Sequence, residues 1–165
     1  MARPGPAVAT LLALVDEAYD RRSWHGPNLR GSLRGMSAAR AAWRPFENRH
    51  SAWEIAVHAA YWKYAAWRRL TGEKRGSFAR AGSNWFDAAA RPTEARWRED
   101  LALLAACHGR LREAVSRLAD EDLTRPAAGG RETAGRLVRG VAAHDLYHAG
   151  QIQLLKRLME SRGTS

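Results

Sequence analysis

Two histidines, His144 and His148, lie four residues apart towards the C-terminal end of the chain. In an α-helix this spacing places both imidazoles on one face, one turn apart. Gln151 continues that face, so three successive polar positions interrupt an apolar stripe with alternating steps of four and three residues, typical of a bundle helix. The stripe comprises Leu137, Val141, His144, His148, Gln151, Leu155 and Leu158. A buried polar group without a partner costs about 1–3 kcal/mol, so the stripe predicts a partner, and a metal ion is the leading candidate.

A third histidine, His58, lies on the core-facing stripe of another predicted helix, between Ile55 and Trp62. A lone core histidine is usually only hydrogen-bonded, but the pair His144 and His148 favours metal ligation. Neutral imidazoles suit zinc, nickel, copper or iron. Three protein ligands leave coordination positions open for water or substrate, which is the catalytic rather than the structural arrangement. The sequence therefore predicts a three-nitrogen metal site.

Several polar and aromatic side chains are expected to surround this site, because they lie one helical turn from a candidate ligand or at a neighbouring helix end. The candidates for orienting a nucleophile are Glu54, Tyr61 and Gln151. Gln151 is also expected to hydrogen-bond a ligand imidazole or a metal-bound water. The residues expected to line the pocket are His25, Trp62 and Gln151.

The remaining titratable candidates favour plainer interpretations. His108 is expected to be a packed core histidine, with a fourth-ligand role as the alternative, and His50 is expected to be solvated. Asp145 is rotated about 100° from its neighbour His144 on a helix, so we expect it to form an ion pair with an arginine of an adjacent helix. The single cysteine, Cys107, stands in an apolar segment and predicts a buried structural thiol.

Apolar periodicity, capping residues and Gly or Pro breaks predict four long helices and one short one. A capping box at Ser51 and Glu54 opens the second long helix, and Gly72 is its expected C-terminal cap. Ser37 is expected to cap the short helix. Gly26-Pro27 ends the first helix. The expected long helices are Ala7–Trp24, Ser51–Leu70, Thr93 to about Asp120–Asp122, and Thr133–Met159, and the short one is Ala38–Trp43.

The segment 72–92 is too long for a tight turn between antiparallel neighbours, so it predicts a crossover between the second and third long helices. Trp85 and Phe86 within it are expected to pack over a face or an end of the bundle. Gly135, Gly140 and Gly150 lie inside the last helix, where they are expected to permit close approach of a neighbour. The sequence therefore predicts an all-α four-helix bundle, as one domain over residues 1–165.

Composition excludes several classes of protein. No apolar run reaches the roughly 18–20 residues that span a bilayer, and the N-terminal residues lack the pattern of a signal peptide, so we expect a cytoplasmic location without membrane attachment. The net charge of +10 raises nucleic acid as a partner. However, 24 of the 27 basic residues are arginines spread along the whole chain, without a basic block, which argues against it.

The segment from His144 to Ile152, read His-Asp-Leu-Tyr-His-Ala-Gly-Gln-Ile, resembles the C-terminal signature of the DinB-like superfamily of damage-inducible and YfiT-type bundle proteins. Further pieces match in order, and the resemblance covers residues from about 8 to 158. These pieces are Trp24-His25-Gly26-Pro27 followed by Leu29, the segment Ser51–His58 that ends in a metal histidine of the family, and the segment Leu137–Val141 that leads to the next.

The resemblance implies an up-down-down-up bundle, frequent homodimers and a divalent metal, which is nickel or zinc and sometimes iron or manganese. The family's three-histidine set falls on His58, His144 and His148. Its better-understood branches include transferases and isomerases that use low-molecular-weight thiols. Substrate identity does not carry over, because the segment equivalent to 72–92 varies across the family.

Three hypotheses on function follow. The first is a metal-dependent enzyme that activates a thiol or water nucleophile towards a small-molecule substrate, as a thiol S-transferase or a hydrolase. The second is a non-catalytic metal-binding module of a stress response. The third, a nucleic-acid-binding protein, rests on charge alone.

Overall fold

The architecture is that of a computed structural model, which describes residues 3–74, 76, 78–82, 84–87 and 91–162. The two ends of the predicted domain, residues 1–2 and 163–165, lie outside the described residues. Within the described ranges the regular elements are helical: α1 (Pro6–Tyr19), α2 (Leu29–Leu33), α3 (Ala38–Ala42), α4 (Ala52–Thr71), α5 (Glu94–Ser116), a 3-10 helix (Asp120–Thr124) and α6 (Ala134–Arg162). Among them, no helix combines the length and the apolar composition needed to cross a membrane.

Helices α4 and α5 run parallel, as a long crossover requires. The Trp53 indole, near the start of α4, donates to Asp100 near the start of α5 at 2.7 Å. Further along both helices, the Lys63 ammonium lies 3.5 Å from Nδ1 of His108. The segment 72–92 therefore returns the chain to the end of the bundle where α4 began.

Helices α1 and α6 run in the opposite direction to this pair. The Asp120 carboxylate, beyond the end of α5, accepts from the backbone N–H of Ala7 and Val8 at the start of α1, at 3.1 and 2.9 Å. Arg69, in the last turn of α4, pairs at 2.9 Å with Glu132, just before α6. The four long helices therefore form the expected all-α, up-down-down-up bundle.

The ends of α4 follow the predicted capping. The Ser51 hydroxyl accepts from the Glu54 N–H at 3.2 Å, and the Glu54 carboxylate accepts from the Ser51 N–H at 2.8 Å. Gly72 ends the helix with φ of 74°, a left-handed conformation that favours glycine. The Ser51–Glu54 cap fixes where α4 begins, and hence the height of His58 in the bundle.

The segment after α1 differs from the prediction. Helix α1 ends at Tyr19 rather than Trp24, because the Asn28 side chain holds the Arg21 carbonyl at 2.7 Å in a turn. Residues predicted as a connector then form α2, capped by the Asn28 carbonyl oxygen and buried through Leu29 and Leu33. This short helix packs on α6 where α1 no longer reaches.

Helices α5 and α6 also differ at their ends. Helix α5 ends at Ser116, before the predicted acidic residues, which form the separate 3-10 helix Asp120–Thr124. Helix α6 extends three residues beyond the predicted Met159.

The buried face of α6 is rotated relative to the predicted stripe. Val138, Asp145 and Ile152 lie at its centre, each exposed by 1% or less. The stripe members that are only half-buried, or exposed, are Leu137, His144, Gln151 and Leu158. The predicted stripe is therefore one edge of the buried face: His148 is buried, whereas His144 and Gln151 are only partly buried.

The three glycines inside α6 have different surroundings. A Cβ at buried Gly135 would lie 2.9 Å from the Leu123 carbonyl oxygen, so the expected close approach holds there. Gly140 and Gly150 are exposed, and a Cβ would meet nothing within 4 Å at either. The expectation of close approach is wrong for these two residues.

This contrast predicts opposite effects of alanine. We expect Gly140→Ala to raise the free energy of unfolding by up to about 1 kcal/mol, because alanine restricts the unfolded chain at no steric cost. Gly135→Ala should lower it, because the methyl group would press on a backbone oxygen. Urea denaturation compares the two variants, with Gly150→Ala as a second exposed control. Equal stability of Gly135→Ala and Gly140→Ala would contradict the tight contact between α6 and the 3-10 helix.

Candidate metal centre

The structure brings together the three histidines that the sequence singled out. Helix α4 supplies His58, and α6 supplies His144 and His148. The Nε2 atom of His144 lies 3.0 Å from Nε2 of His58 and 3.0 Å from Nε2 of His148. Among the described residues, these three form a group whose ligand atoms lie within 4.8 Å of one another, close enough to hold one metal ion.

Hydrogen bonds at the outer ring nitrogens assign the tautomers of two of these imidazoles. Nδ1 of His58 lies 2.7 Å from the main-chain oxygen of Asn84, and Nδ1 of His148 lies 2.7 Å from Oε1 of Gln151. An oxygen of this kind only accepts, so each Nδ1 carries the proton in the neutral ring. The Nε2 lone pairs of His58 and His148 are therefore both directed at His144.

Hydrogen bonds among the three neutral imidazoles cannot satisfy all of their inward-facing nitrogens. A neutral His144 has a single N–H and satisfies at most one of the two lone pairs that face it through a linear hydrogen bond. In addition, its Nδ1 is buried without a hydrogen-bond partner among the described residues. Three converging imidazole nitrogens are a ligand set for zinc, nickel, copper or iron. The residues present therefore fit a divalent metal ion.

Burial keeps the three rings in the form that binds metal. It lowers the pKa of His144 to about 3, with further lowering by the neighbouring His148 and His58. Burial likewise lowers the pKa of His148 to about 4 and lowers that of His58. Metal ligands must be deprotonated, so all three imidazoles are ready to bind a cation at neutral pH.

The crossover segment covers this centre. Trp85 stacks on His58 with ring centroids 3.9 Å apart and planes 6° apart. The next residue, Phe86, is 4% exposed and packs on Phe78 and Tyr61. The expectation that the two crossover aromatics pack over the bundle is therefore confirmed, and one of them lies directly on a candidate ligand.

Two of the predicted surrounding residues lie beside the histidines. Gln151 accepts from His148 and donates to the Tyr147 hydroxyl at 3.0 Å, which holds its amide in place. The Trp62 ring lies 6.3 Å from the rings of both His58 and His144 and is 42% exposed. These residues border the open side of the centre.

Two other predicted candidates, Glu54 and Tyr61, are engaged in other contacts, and the place of His25 at the pocket stays a prediction. The Glu54 carboxylate is held by Arg44 at 2.7 Å as well as by the α4 cap, so it serves the helix start rather than the histidines. The Tyr61 ring packs in the aromatic cluster with Phe78, 5.5 Å between centroids. His25 is exposed and is not one of the three clustered histidines.

A buried polar cluster next to the centre was largely missed by the sequence reasoning. Asp145 pairs with Lys63 rather than with an arginine, and both side chains are 1% exposed or less. Lys63 also approaches His108, whose ring stacks on Tyr19 at 3.8 Å. Burial, reinforced by Lys63, lowers the pKa of His108 to about 3. The core position of His108 was predicted and is confirmed, since His108 is 6% exposed, but its contact with Lys63 was not predicted.

Two further predictions concern single side chains. Cys107 is buried, as expected, and burial raises the pKa of its thiol to about 11. His50 is exposed, as expected, and its ring also stacks on Trp85 with centroids 3.6 Å apart. The Trp85 indole therefore lies against both His50 and His58.

Comparison with known proteins agrees with this architecture. No curated protein and no solved structure shows significant similarity to the chain. A family model described as the DinB superfamily matches residues 21–152, which include α2 to α5, most of α6 and all three clustered histidines. The chain therefore belongs to the DinB superfamily.

Proposed function

We propose that the protein is a divalent-metal-dependent enzyme that activates a thiol or a water nucleophile, acting as a thiol S-transferase or a hydrolase. The observation that carries this proposal is the convergence of three imidazole Nε2 atoms, with those of His58 and His148 each 3.0 Å from that of His144. Structural zinc sites usually have four protein ligands, whereas three leave a position for water or substrate. The set of three therefore favours catalysis over a purely structural role.

A divalent metal at such a site supplies Lewis acidity, which lowers the pKa of a thiol or water towards neutrality. The protein's part is to hold the three imidazoles neutral and correctly oriented. Gln151 and the Asn84 carbonyl do this by fixing the protons of His148 and His58 on the outer nitrogens. Trp62, which is 42% exposed, and Tyr147, which is 64% exposed, border the approach for a small-molecule substrate.

The proposal extends to the ion and the assembly. Neutral imidazole ligands suit nickel or zinc, and iron or manganese are the other ions of the family. The cosubstrate of the transferase reaction would be a low-molecular-weight thiol. By the same family resemblance we propose a homodimer in the cytoplasm, and sedimentation velocity measures the assembly directly.

An activity screen tests the proposal. Protein loaded with zinc or with nickel is assayed with physiological thiols against a generic electrophile, and separately for hydrolysis of an activated ester. We expect turnover with at least one nucleophile, and we expect it to fall to the background of chelated protein in His148→Ala. Arg139→Ala, an exposed substitution on the same helix, is the matched control and should keep full activity.

Two results would contradict the enzyme assignment. Metal binding without turnover of any thiol or ester would favour the non-catalytic metal-binding module. DNA binding with a steep dependence on salt concentration would instead favour the nucleic-acid hypothesis, because each phosphate contact releases counterions.

A further inference from the structure

Two consecutive crossover residues, Asn84 and Trp85, contact His58 from perpendicular directions. The Asn84 carbonyl accepts from Nδ1 in the plane of the imidazole, at 2.7 Å. The Trp85 indole covers the face of the same ring, with planes 6° apart and centroids at 3.9 Å. On its other face Trp85 is backed by His50, with planes 4° apart. The in-plane bond sets the tautomer of His58, and the stack sets the tilt of its ring.

Asn84 adopts an unusual backbone conformation to make this contact. Its φ is 62°, and among the described residues it is the only non-glycine with positive φ. Asparagine tolerates this left-handed region better than most residues, whereas a β-branched residue there is a genuine outlier. The Asn84 side chain is also engaged, because its Oδ1 accepts from the Trp62 indole at 2.9 Å.

Burial does not account for Asn84. Its side chain is exposed, so it contributes little apolar area, whereas Phe86 is buried against Phe78 and Tyr61. Among the described residues, the hydrogen bonds of Asn84 go to His58 and to Trp62, both beside the histidine centre. A strained, exposed residue whose hydrogen bonds to the described part of the chain go to one site indicates a role in that site.

We propose that Asn84 and Trp85 form a clamp that positions His58 for metal binding, with the left-handed backbone of Asn84 as the feature that aims its carbonyl at Nδ1. Asn84 is thus a positioning residue, and it acts through His58 rather than on a substrate. The inference rests on the metal-binding part of the proposed function and is independent of which reaction follows. Partners of metal-bound imidazoles typically contribute 10–100-fold in metal affinity.

Matched substitutions at Asn84 separate the carbonyl from the side chain. Asn84→Gly keeps the carbonyl and accepts positive φ at no steric cost, but it loses the bond to Trp62. Asn84→Val disfavours positive φ and should turn the carbonyl away. We expect Asn84→Val to weaken zinc binding about 10–100-fold, and Asn84→Gly to weaken it clearly less. Ala81→Val, an exposed substitution in the same segment, is the control and should bind as the parent does.

Two measurements that need no turnover give the result. A chelator competition assay yields the zinc dissociation constant, and ¹⁵N NMR of the imidazoles in metal-free protein reports which nitrogen of His58 is protonated. In the parent and in Asn84→Gly the proton should be on Nδ1, whereas in Asn84→Val a substantial share should move to Nε2. Trp85→Leu should keep the Nδ1 tautomer and still weaken zinc binding, since only the stack is lost.

The clamp is overturned if Asn84→Val binds zinc as tightly as the parent, or if its His58 keeps the Nδ1 proton. It is also overturned if Asn84→Gly and Ala81→Val lose as much zinc affinity as Asn84→Val, because equal losses indicate general damage to the crossover. Thermal unfolding of the metal-free variants identifies such damage. If the parent protein binds zinc but turns over no substrate, the enzyme assignment is contradicted. The clamp would still be supported by the zinc affinities of the variants.

Discussion

His144→Ala is expected to reduce zinc affinity by more than the 10–100-fold that loss of an outer-shell partner costs, and to leave the purified protein without its metal. His144 lies between the other two ligands, with Nε2 3.0 Å from each of theirs. Without it, the Nε2 atoms of His58 and His148 remain as two donors on different helices. Elemental analysis of the purified variant checks the prediction, and Arg139→Ala is the matched control on the same helix.

The same substitution should change how stability responds to metal. A ligand that binds only the folded state stabilises it by about 2.7 kcal/mol at a free concentration 100 times its dissociation constant. We expect the parent protein to gain stability of this order with zinc, whereas His144→Ala should gain little. In metal-free protein the variant should lose little stability, because the substitution also removes the nitrogen at which two lone pairs converge. An unchanged metal content in His144→Ala would contradict the three-histidine site.

The centre was accessible from the sequence because its geometry is mostly local. The four-residue spacing of His144 and His148 places both on one face of any helix. The Ser51 cap fixes where α4 begins, and therefore how far along α4 His58 lies. The crossover was accessible for a related reason, since residues 72–92 are too many for a turn. Periodicity, capping and segment length are properties of consecutive residues, so they can be recognised in a single sequence.

What the sequence could not predict depends on contacts between distant segments. The rotation of α6 places Asp145 at the centre of the core, and its cause is a partner 82 residues away, Lys63. The contact of Asn84 with His58 depends on a left-handed backbone in a loop, for which an asparagine is only a weak signal. In both cases the residue type is compatible with the observed conformation but also with others. The contact with a distant residue selects the observed one.

The ion pair of Lys63 and Asp145 gives the second large expectation. Both side chains are essentially inaccessible to solvent, at 0% and 1% exposure. Removing one member of a buried pair leaves the other charge uncompensated and typically costs about 3–5 kcal/mol. We therefore expect Lys63→Met to lower the free energy of unfolding by this amount. Burial raises the pKa of the Asp145 carboxyl, and Lys63 counteracts this rise. Without Lys63, Asp145 should therefore be protonated in the folded state more readily than in the parent.

Replacing both members should behave differently from replacing one. Lys63→Met with Asp145→Leu removes the buried charges together, and such replacements are often neutral or stabilising by about 1–4 kcal/mol. Denaturant unfolding of the two single variants and the double variant gives the coupling free energy of the pair. If the losses in free energy of unfolding of the two single variants add up in the double variant, the ion pair is not the dominant contact of either side chain.

The same double variant tests what the pair does for the metal centre. It joins α4 to α6, the two helices that carry the ligands, and Asp145 directly follows His144. If packing alone sets the spacing of these helices, the stable double variant should bind zinc like the parent. If it is stable but binds zinc weakly, the buried pair sets the register between His58 and His144, which is the best-attested use of a buried ion pair. We expect the first result, because the aromatic crossover contacts His58 independently of Lys63.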